Sequence, residues 1–403
     1  MAKVAVLGYG TVGSGVVEVI EKNNEQVSRK AGEELHVKYI LDLRDFPGDP
    51  YEDKVIHDFE TILNDSEISI VCEVMGGVGA AYQFTKRCLE RGKSVCTSNK
   101  ELVAKHGAEL IQLARENCCN YMFEASVGGG IPIIRPINSA LTAEKIESIV
   151  GIVNGTTNYI LTKMEKEGAD YNDVLRQAQE LGYAERNPEA DVEGYDACRK
   201  IAILASLVSG KNVDSEKIYT EGITRLTTAD FDYAKAAGMT VKLLAIGKTM
   251  EDGSMLAMVA PFMVSRENPL AMVNDVFNGV LVTGNMLGDA LFYGKGAGKL
   301  PTASAVVADV IDCARHQGKT VICMWNQEEA ELADVAETKK RFFVRARAAA
   351  RREVEAAFPG GGSFVADGRT EDFGFFTSVM KEKDFDRVCA ELGSNILGSI
   401  RVW

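Results

Sequence analysis

Over the first third of the chain, short continuous apolar runs alternate with longer stretches in which apolar residues recur every three or four positions. The first pattern predicts buried strands and the second amphipathic helices. Strands are predicted at 3–8, 36–42, 68–73, 94–97 and 120–124, and helices at 14–29, 80–91 and 101–116. Such alternation implies a parallel sheet with right-handed crossovers.

The pattern then changes. A strand-like run at 146–154 leads into helices at 156–167 and 171–181, and a further helical stripe (Ala197, Ile201, Leu204, Ala205) begins after Gly194. Apolar runs at 240–250 and 255–264 flank Glu251-Asp-Gly-Ser254, a hairpin signal, and another follows at 280–285. Pro301 suits the first turn of a helix running to about His316. We read residues 1–130 as a Rossmann-type α/β domain completed by helix 301–318, and 131–300 as an α+β domain. An acidic linker follows at 325–340. Beyond it, segments 341–345, 348–358, 363–366, 374–380, 383–392 and 396–402 read as β-α-β-β-α-β, a small module over 341–403.

The chain is 403 residues long, enough for two or three cores. No apolar run reaches a membrane span. The formal net charge of −13 argues against nucleic acid as a partner. Nine scattered cysteines, without zinc-ligand spacing, and a start that runs straight into a strand point to reduced thiols in the cytoplasm.

Three places carry chemistry. Gly8-Tyr-Gly10-Thr-Val-Gly13 follows a predicted strand and opens a helix, the setting in which G-x-G-x-x-G cradles a dinucleotide pyrophosphate. At the end of the second predicted strand stand both Asp42, suited to the ribose 2′-hydroxyl of NAD, and Arg44, suited to the 2′-phosphate of NADP, which leaves the choice open. At the ends of later strands lie Thr97-Ser-Asn-Lys100, with a lysine at a helix start where the dipole disfavours it, and Glu124-Ala-Ser-Val-Gly-Gly-Gly-Ile131. The third place is residues 181–200, which concentrate Glu185, Asp191, Asp196 and Lys200. Asp196 and Lys200 are at i, i+4 and share one helix face. Such a segment can hold a small zwitterion by its ammonium and still offer a lysine for proton transfer.

These motifs, together with Asn154-Gly-Thr-Thr-Asn158, Leu181-Gly-Tyr-Ala-Glu185 and Tyr293-Gly-Lys-Gly-Ala-Gly298, resemble homoserine dehydrogenase in family order over residues 3–318. The resemblance implies NAD(P)-dependent interconversion of L-aspartate 4-semialdehyde and L-homoserine. It makes Lys200 the proton donor, places Lys100 near the nicotinamide and the reacting oxygen, and assigns Glu185, Asp191 and Asp196 to the amino acid. Thr11, Val12, Gly182 and Gly296 line the cofactor by the same resemblance. A sodium ion is expected on the Glu124 carboxylate and the carbonyls of Val127, Gly129 and Ile131. A homodimer or homotetramer is expected too. Residues 341–403 resemble the ACT regulatory domain, which implies L-threonine as a regulator, with a role in assembly as the alternative. Arg347-Ala-Ala-Ala-Arg351 replaces that domain's usual Asp/Pro/Gly turn, and Glu185-Arg-Asn-Pro188 replaces the family's Glu-Pro-Asp-Pro.

Aldehyde reduction builds charge on an oxygen that must be protonated. The histidines are His36, His57, His106 and His316, so the substrate region has none, and the lysines are the candidates. The rival aspartate-semialdehyde dehydrogenase needs an activated cysteine beside a histidine, which Cys198 lacks in sequence. A nucleotide sensor without turnover would not need the acid–lysine group.

Overall fold

Strand Ala2–Leu7 lies at the centre of a six-strand parallel sheet, in the order Val55–Ile56, Leu35–Leu41, Ala2–Leu7, Ile68–Glu73, Ser94–Thr97, Tyr121–Met122. The chain order reverses between Ala2–Leu7 and Ile68–Glu73, and ligands of such sheets bind outside the carboxyl ends at that point. The structure, a computed structural model, describes residues 2–403. It divides into two units: residues 2–145, 202–215 and 294–330, and residues 146–201, 216–293 and 331–403.

In the first unit, the predicted strands at 68–73 and 94–97 are found at those bounds. The expected helix 14–29 is two helices, Thr11–Lys22 and Asn24–Ala31, broken at Asn23 (φ −106°, ψ 22°). Asparagine competes for backbone hydrogen bonds and favours helix ends, which periodicity does not register. The expected strand 120–124 shrinks to Tyr121–Met122, because the chain leaves the sheet at Phe123 and turns through Glu124–Ser126. Helix Lys299–Arg315 packs back on this unit. A Cβ on Gly15 would stand 2.9 Å from the Lys299 carbonyl oxygen and 3.0 Å from the Ala303 side chain, so glycine permits the close helix contact. Val4, Val6, Val16, Ile20, Val306 and Val310 form the core there, all fully buried. Trp325, in the stretch expected as a linker, is also buried and packs where Gly107 leaves room for its ring.

The second unit holds a mixed sheet of eleven strands. Its main path runs Gly288–Lys295, Phe277–Gly284, Ile146–Ile152, Met239–Thr249, Met255–Ser265, Ile396–Val402, Lys339–Arg347, Asp372–Phe376, Gly362–Phe364. The Asp-Gly signal gives the antiparallel hairpin Met239–Thr249 with Met255–Ser265, paired through its full length. The last strand, Ile396–Val402, pairs parallel with Met255–Ser265 through Phe262–Arg401 and Met263–Val402. One sheet therefore runs through both the middle segment and residues 339–402. Within the latter, Arg351–Ala357 and Glu382–Leu392 are the helices, over a core that includes Phe342, Val354, Phe373 and Phe385. Among the described residues no helix is long and apolar enough to cross a membrane.

Candidate active site

The glycine-rich turn is built by contacts that exclude side chains. Gly8 has φ +94° and lies against Val74 O and Met75. A Cβ on Gly13 would overlap the Gly8 carbonyl oxygen. Gly10, at the N-cap of helix Thr11–Lys22, has nothing within 4 Å of its missing Cβ, which leaves a cradle for a phosphate. Thr11 and Val12 open that helix, where backbone N–H groups have no intrahelical acceptor.

Asp42 follows strand Leu35–Leu41, and its Oδ2 accepts from the Tyr9 N–H at 2.8 Å. The Arg44 guanidinium forks onto the same carboxylate, Nε to Oδ1 and a terminal nitrogen to Oδ2, both at 3.0 Å. Those bonds hold the Asp42 carboxyl far below its ordinary range. The two residues that sequence offered as alternatives are thus one bidentate pair, with Arg44 on its exposed side and Asp42 nearly buried.

Glu124 is the buried acceptor of the turn that follows it. Its carboxylate accepts from three backbone N–H groups, Ile133 (2.6 Å) and Ile134 (2.9 Å) on Oε1 and Arg135 (2.6 Å) on Oε2. With both oxygens so engaged, and the residue 3% exposed, the carboxylate holds the following turn. Asp309 accepts from the Glu124 N–H and from Arg135. Burial, and then the nearby Glu124 charge, push the Asp309 carboxyl well above its usual range. Val127 and Ile131 are buried, and the carbonyls of Val127, Gly129 and Ile131 accept no hydrogen bond among the described residues. The Gly296 carbonyl presses on Gly129, where a Cβ would collide with it. Lys100 is the first residue of helix Lys100–Glu116, capped by Asn99, whose Oδ1 accepts from Leu102 N at 3.1 Å.

In the second unit, the acid–lysine group closes around a residue that sequence reasoning missed. Asn154 Nδ2 donates to Asp191 Oδ1 at 2.7 Å and to Asp196 Oδ2 at 2.8 Å. Its Oδ1 meanwhile caps helix Gly155–Glu167 through Thr157 N at 2.8 Å. Lys200 Nζ donates to Asp196 Oδ2 (2.8 Å) and to the Val153 carbonyl (2.7 Å). Asp196 is 4% and Lys200 9% exposed, so this is no surface pair. Burial raises the Asp191 carboxyl, and the Asp196 charge adds to the rise against the Asn154 hydrogen bond. The Asn-Gly-Thr-Thr-Asn motif was visible, but only its packing under two carboxylates shows what Asn154 does.

Glu185 stands apart from that group, exposed on the loop after helix Tyr171–Glu180, with its carbonyl bonded to Gln179 Nε2 at 3.0 Å. Gly182 (φ +75°) begins this loop in a left-handed conformation that glycine tolerates. Cys198 is buried and forms no disulfide.

Known proteins resemble this chain in sequence and in fold. A family model for homoserine dehydrogenase matches residues 132–311, and one for the NAD binding domain of homoserine dehydrogenase matches residues 8–124. Homoserine dehydrogenase of Synechocystis is 46% identical over 317 residues, 77% of this chain and 72% of that protein. A solved homoserine dehydrogenase from Thiobacillus denitrificans is 33% identical and matches with a TM-score of 0.90, covering 100% of this chain and 98% of that one. A hyperthermophilic archaeal homoserine dehydrogenase, solved in complex with NADPH, matches at 29% identity with a TM-score of 0.64 over 77% of this chain and 97% of its own. The chain belongs to the homoserine dehydrogenase family, the NAD(P)-dependent oxidoreductases that interconvert L-aspartate 4-semialdehyde and L-homoserine.

Proposed function

We propose that Lys200 moves the proton of this reaction and that Asp191, Asp196 and Glu185 hold the substrate's ammonium group. The observation that carries the reading is the buried Asn154–Asp191–Asp196–Lys200 group. Two carboxylates and one ammonium leave a negative charge in excess among these three ionisable residues, which suits an amino acid's ammonium. When bound, NAD(P) supplies or accepts the hydride. The chain supplies the proton at Lys200 Nζ, held by Asp196 and the Val153 carbonyl, while Lys100 serves the nicotinamide side. Steady-state oxidation of L-homoserine by wild type and Lys200→Met tests this. A loss of kcat with intact cofactor binding is expected, and near-normal turnover would remove Lys200 from the proton step.

For the cofactor, we read Gly8, Gly10, Thr11, Val12, Gly13, Gly182 and Gly296 as lining residues and Arg44 as the partner of a 2′-phosphate. NADP is then preferred over NAD. The exposed guanidinium beside the glycine-rich turn supports this. We propose a sodium ion on the Glu124 carboxylate and the carbonyls of Val127, Gly129 and Ile131, since a carboxylate with buried carbonyls that lack donors suits a hard monovalent cation.

L-Threonine is the proposed regulator. A cavity of about 360 Å³ in the second unit, where Glu193 and Tyr195 meet Asp386 and Arg225, supports an amino-acid ligand. A homodimer or homotetramer is supported by Leu291 and Tyr293, exposed on edge strand Gly288–Lys295. A cytoplasmic site is supported by the nine cysteines, which form no disulfide.

A further inference from the structure

Glu73 ends strand Ile68–Glu73, at the point where the sheet order reverses, and its side chain is fully buried. A carboxylate in that position is costly unless it is well bonded. Its partners are specific. Oε2 accepts from Thr97 Oγ1 at 2.6 Å, and Oε1 accepts from Met75 N at 2.9 Å. Thr97 Oγ1 in turn accepts from Asn99 N at 2.9 Å. Asn99 reaches across to the Gly77 carbonyl with Nδ2 at 2.7 Å, and caps the helix that Lys100 opens.

One carboxylate thereby organises two walls at the carboxyl end of the sheet. On one side it fixes the turn after its own strand, placing Met75 against Gly8 of the glycine-rich turn. On the other it fixes, through Thr97 and Asn99, the backbone from which Lys100 departs. Burial also lifts the Glu73 carboxyl to about 7, a mark of how dry the site is. A plain apolar residue would spare that burial cost, and nothing in the core packing of the strand calls for an acid.

We propose that Glu73 is a positioning residue for Lys100, acting through Thr97 and Asn99 on the first turn of the lysine's helix. This rests on the reading that Lys100 serves the reaction. Glu73→Gln keeps the shape and one acceptor but gives up the second, so the Thr97 hydroxyl must turn. Glu73→Asp keeps the charge and withdraws it by one methylene. Lys100 follows a polar turn in which the Asn99 N–H is anchored on Thr97 Oγ1, the hydroxyl that donates to Glu73.

The experiment combines Glu73→Gln, Glu73→Asp, Lys100→Ala and the Glu73→Gln/Lys100→Ala double variant. The readouts are kcat and KM for L-homoserine, NADPH affinity by fluorescence, thermal midpoint, and the rate at which acetic anhydride labels Lys100 in the cofactor-free protein. In Glu73→Gln a loss of kcat between about tenfold and a hundredfold is expected, the scale of a misplaced reacting group. NADPH affinity should stay within about twofold, a change of less than about 0.5 kcal/mol. The Lys100 labelling rate should shift, and the double variant should be no slower than Lys100→Ala alone.

A Glu73→Gln effect that multiplies undiminished in the Lys100→Ala background overturns the proposal. So does an unchanged labelling rate with unchanged kcat. Normal turnover in Lys100→Ala alone would instead remove Lys100 from the reaction, and the positioning role with it. If Glu73→Gln does not fold, Glu73→Asp carries the same comparison, with kcat again the parameter that must fall.

Discussion

Asn154→Asp separates the two jobs of Asn154. Aspartate caps a helix as well as asparagine does, so helix Gly155–Glu167 keeps its start. The substitution puts a carboxylate oxygen where an amide nitrogen now stands 2.7 Å from Asp191 and 2.8 Å from Asp196. Two unit charges about 4 Å apart repel by about 4 kcal/mol at an effective dielectric constant near 20. At about 1.4 kcal/mol per pKa unit, that holds a proton on the cluster up to about pH 7, some three units above a free carboxyl.

The sign follows from proton binding. Between about pH 4 and pH 7 the folded variant holds a proton that its unfolded chain has released, so stability falls as pH rises through that window. Against wild type, the variant should be only slightly destabilised at pH 5. By pH 7.5 the deficit should approach the full 4 kcal/mol or so, about 10 °C in melting midpoint for a unit of this size. Scanning fluorimetry of both proteins from pH 5 to pH 8 measures the difference. A deficit that does not change with pH would refute the electrostatic account and leave only a packing defect.

Three further outcomes follow from the same geometry. Arg44→Ala should weaken NADP binding about tenfold or more while leaving NAD within a few-fold, the yield of one charge-assisted hydrogen-bond pair; equal loss of both cofactors in steady-state KM values would remove Arg44 from 2′-phosphate recognition. Glu124→Ala strips the acceptor from three backbone N–H groups, each costing about 1–3 kcal/mol when left unpaired, so the melting midpoint should fall steeply and Glu124→Gln should recover part of it. Arg401→Met removes from Glu382 (3% exposed) the guanidinium that helps hold its carboxyl below the usual range and leaves it with Lys340, a loss of about 1.5–3 kcal/mol at neutral pH. Because Glu382 can then take up a proton, the deficit should shrink toward pH 4.5, and a deficit that grows with acidity would contradict this.

Much of the architecture was legible because it is local. A strand's period and the glycines of Gly8–Gly13 are properties of a few neighbouring residues, as is the Asp-Gly turn between the two long strands. Strand and helix limits therefore fell within a residue or two for most elements. The break at Asn23 and the early end of the strand after Met122 fell outside periodicity, because capping and sheet departure depend on single polar groups. The site was half legible. Asp196 and Lys200 share a helix face by spacing alone, and the structure joins them at 2.8 Å. Glu185 belongs to the same sequence motif, yet its side chain lies outside the bonded group.

What the sequence by itself determined is the set of parts: a dinucleotide turn, parallel βα units, an acid–lysine helix, and a family reading that relatives confirm. Only the tertiary structure decided how distant polar groups share one another. It set Arg44 on Asp42 and gave the Glu124 carboxylate to backbone N–H groups. It bound Asp191 to Asp196 through Asn154, and joined residues 396–402 to the sheet of the middle segment. The reason is physical. Propensity and period act over neighbouring residues, whereas burial obliges each polar group to find a partner wherever the fold brings one, at any separation along the chain.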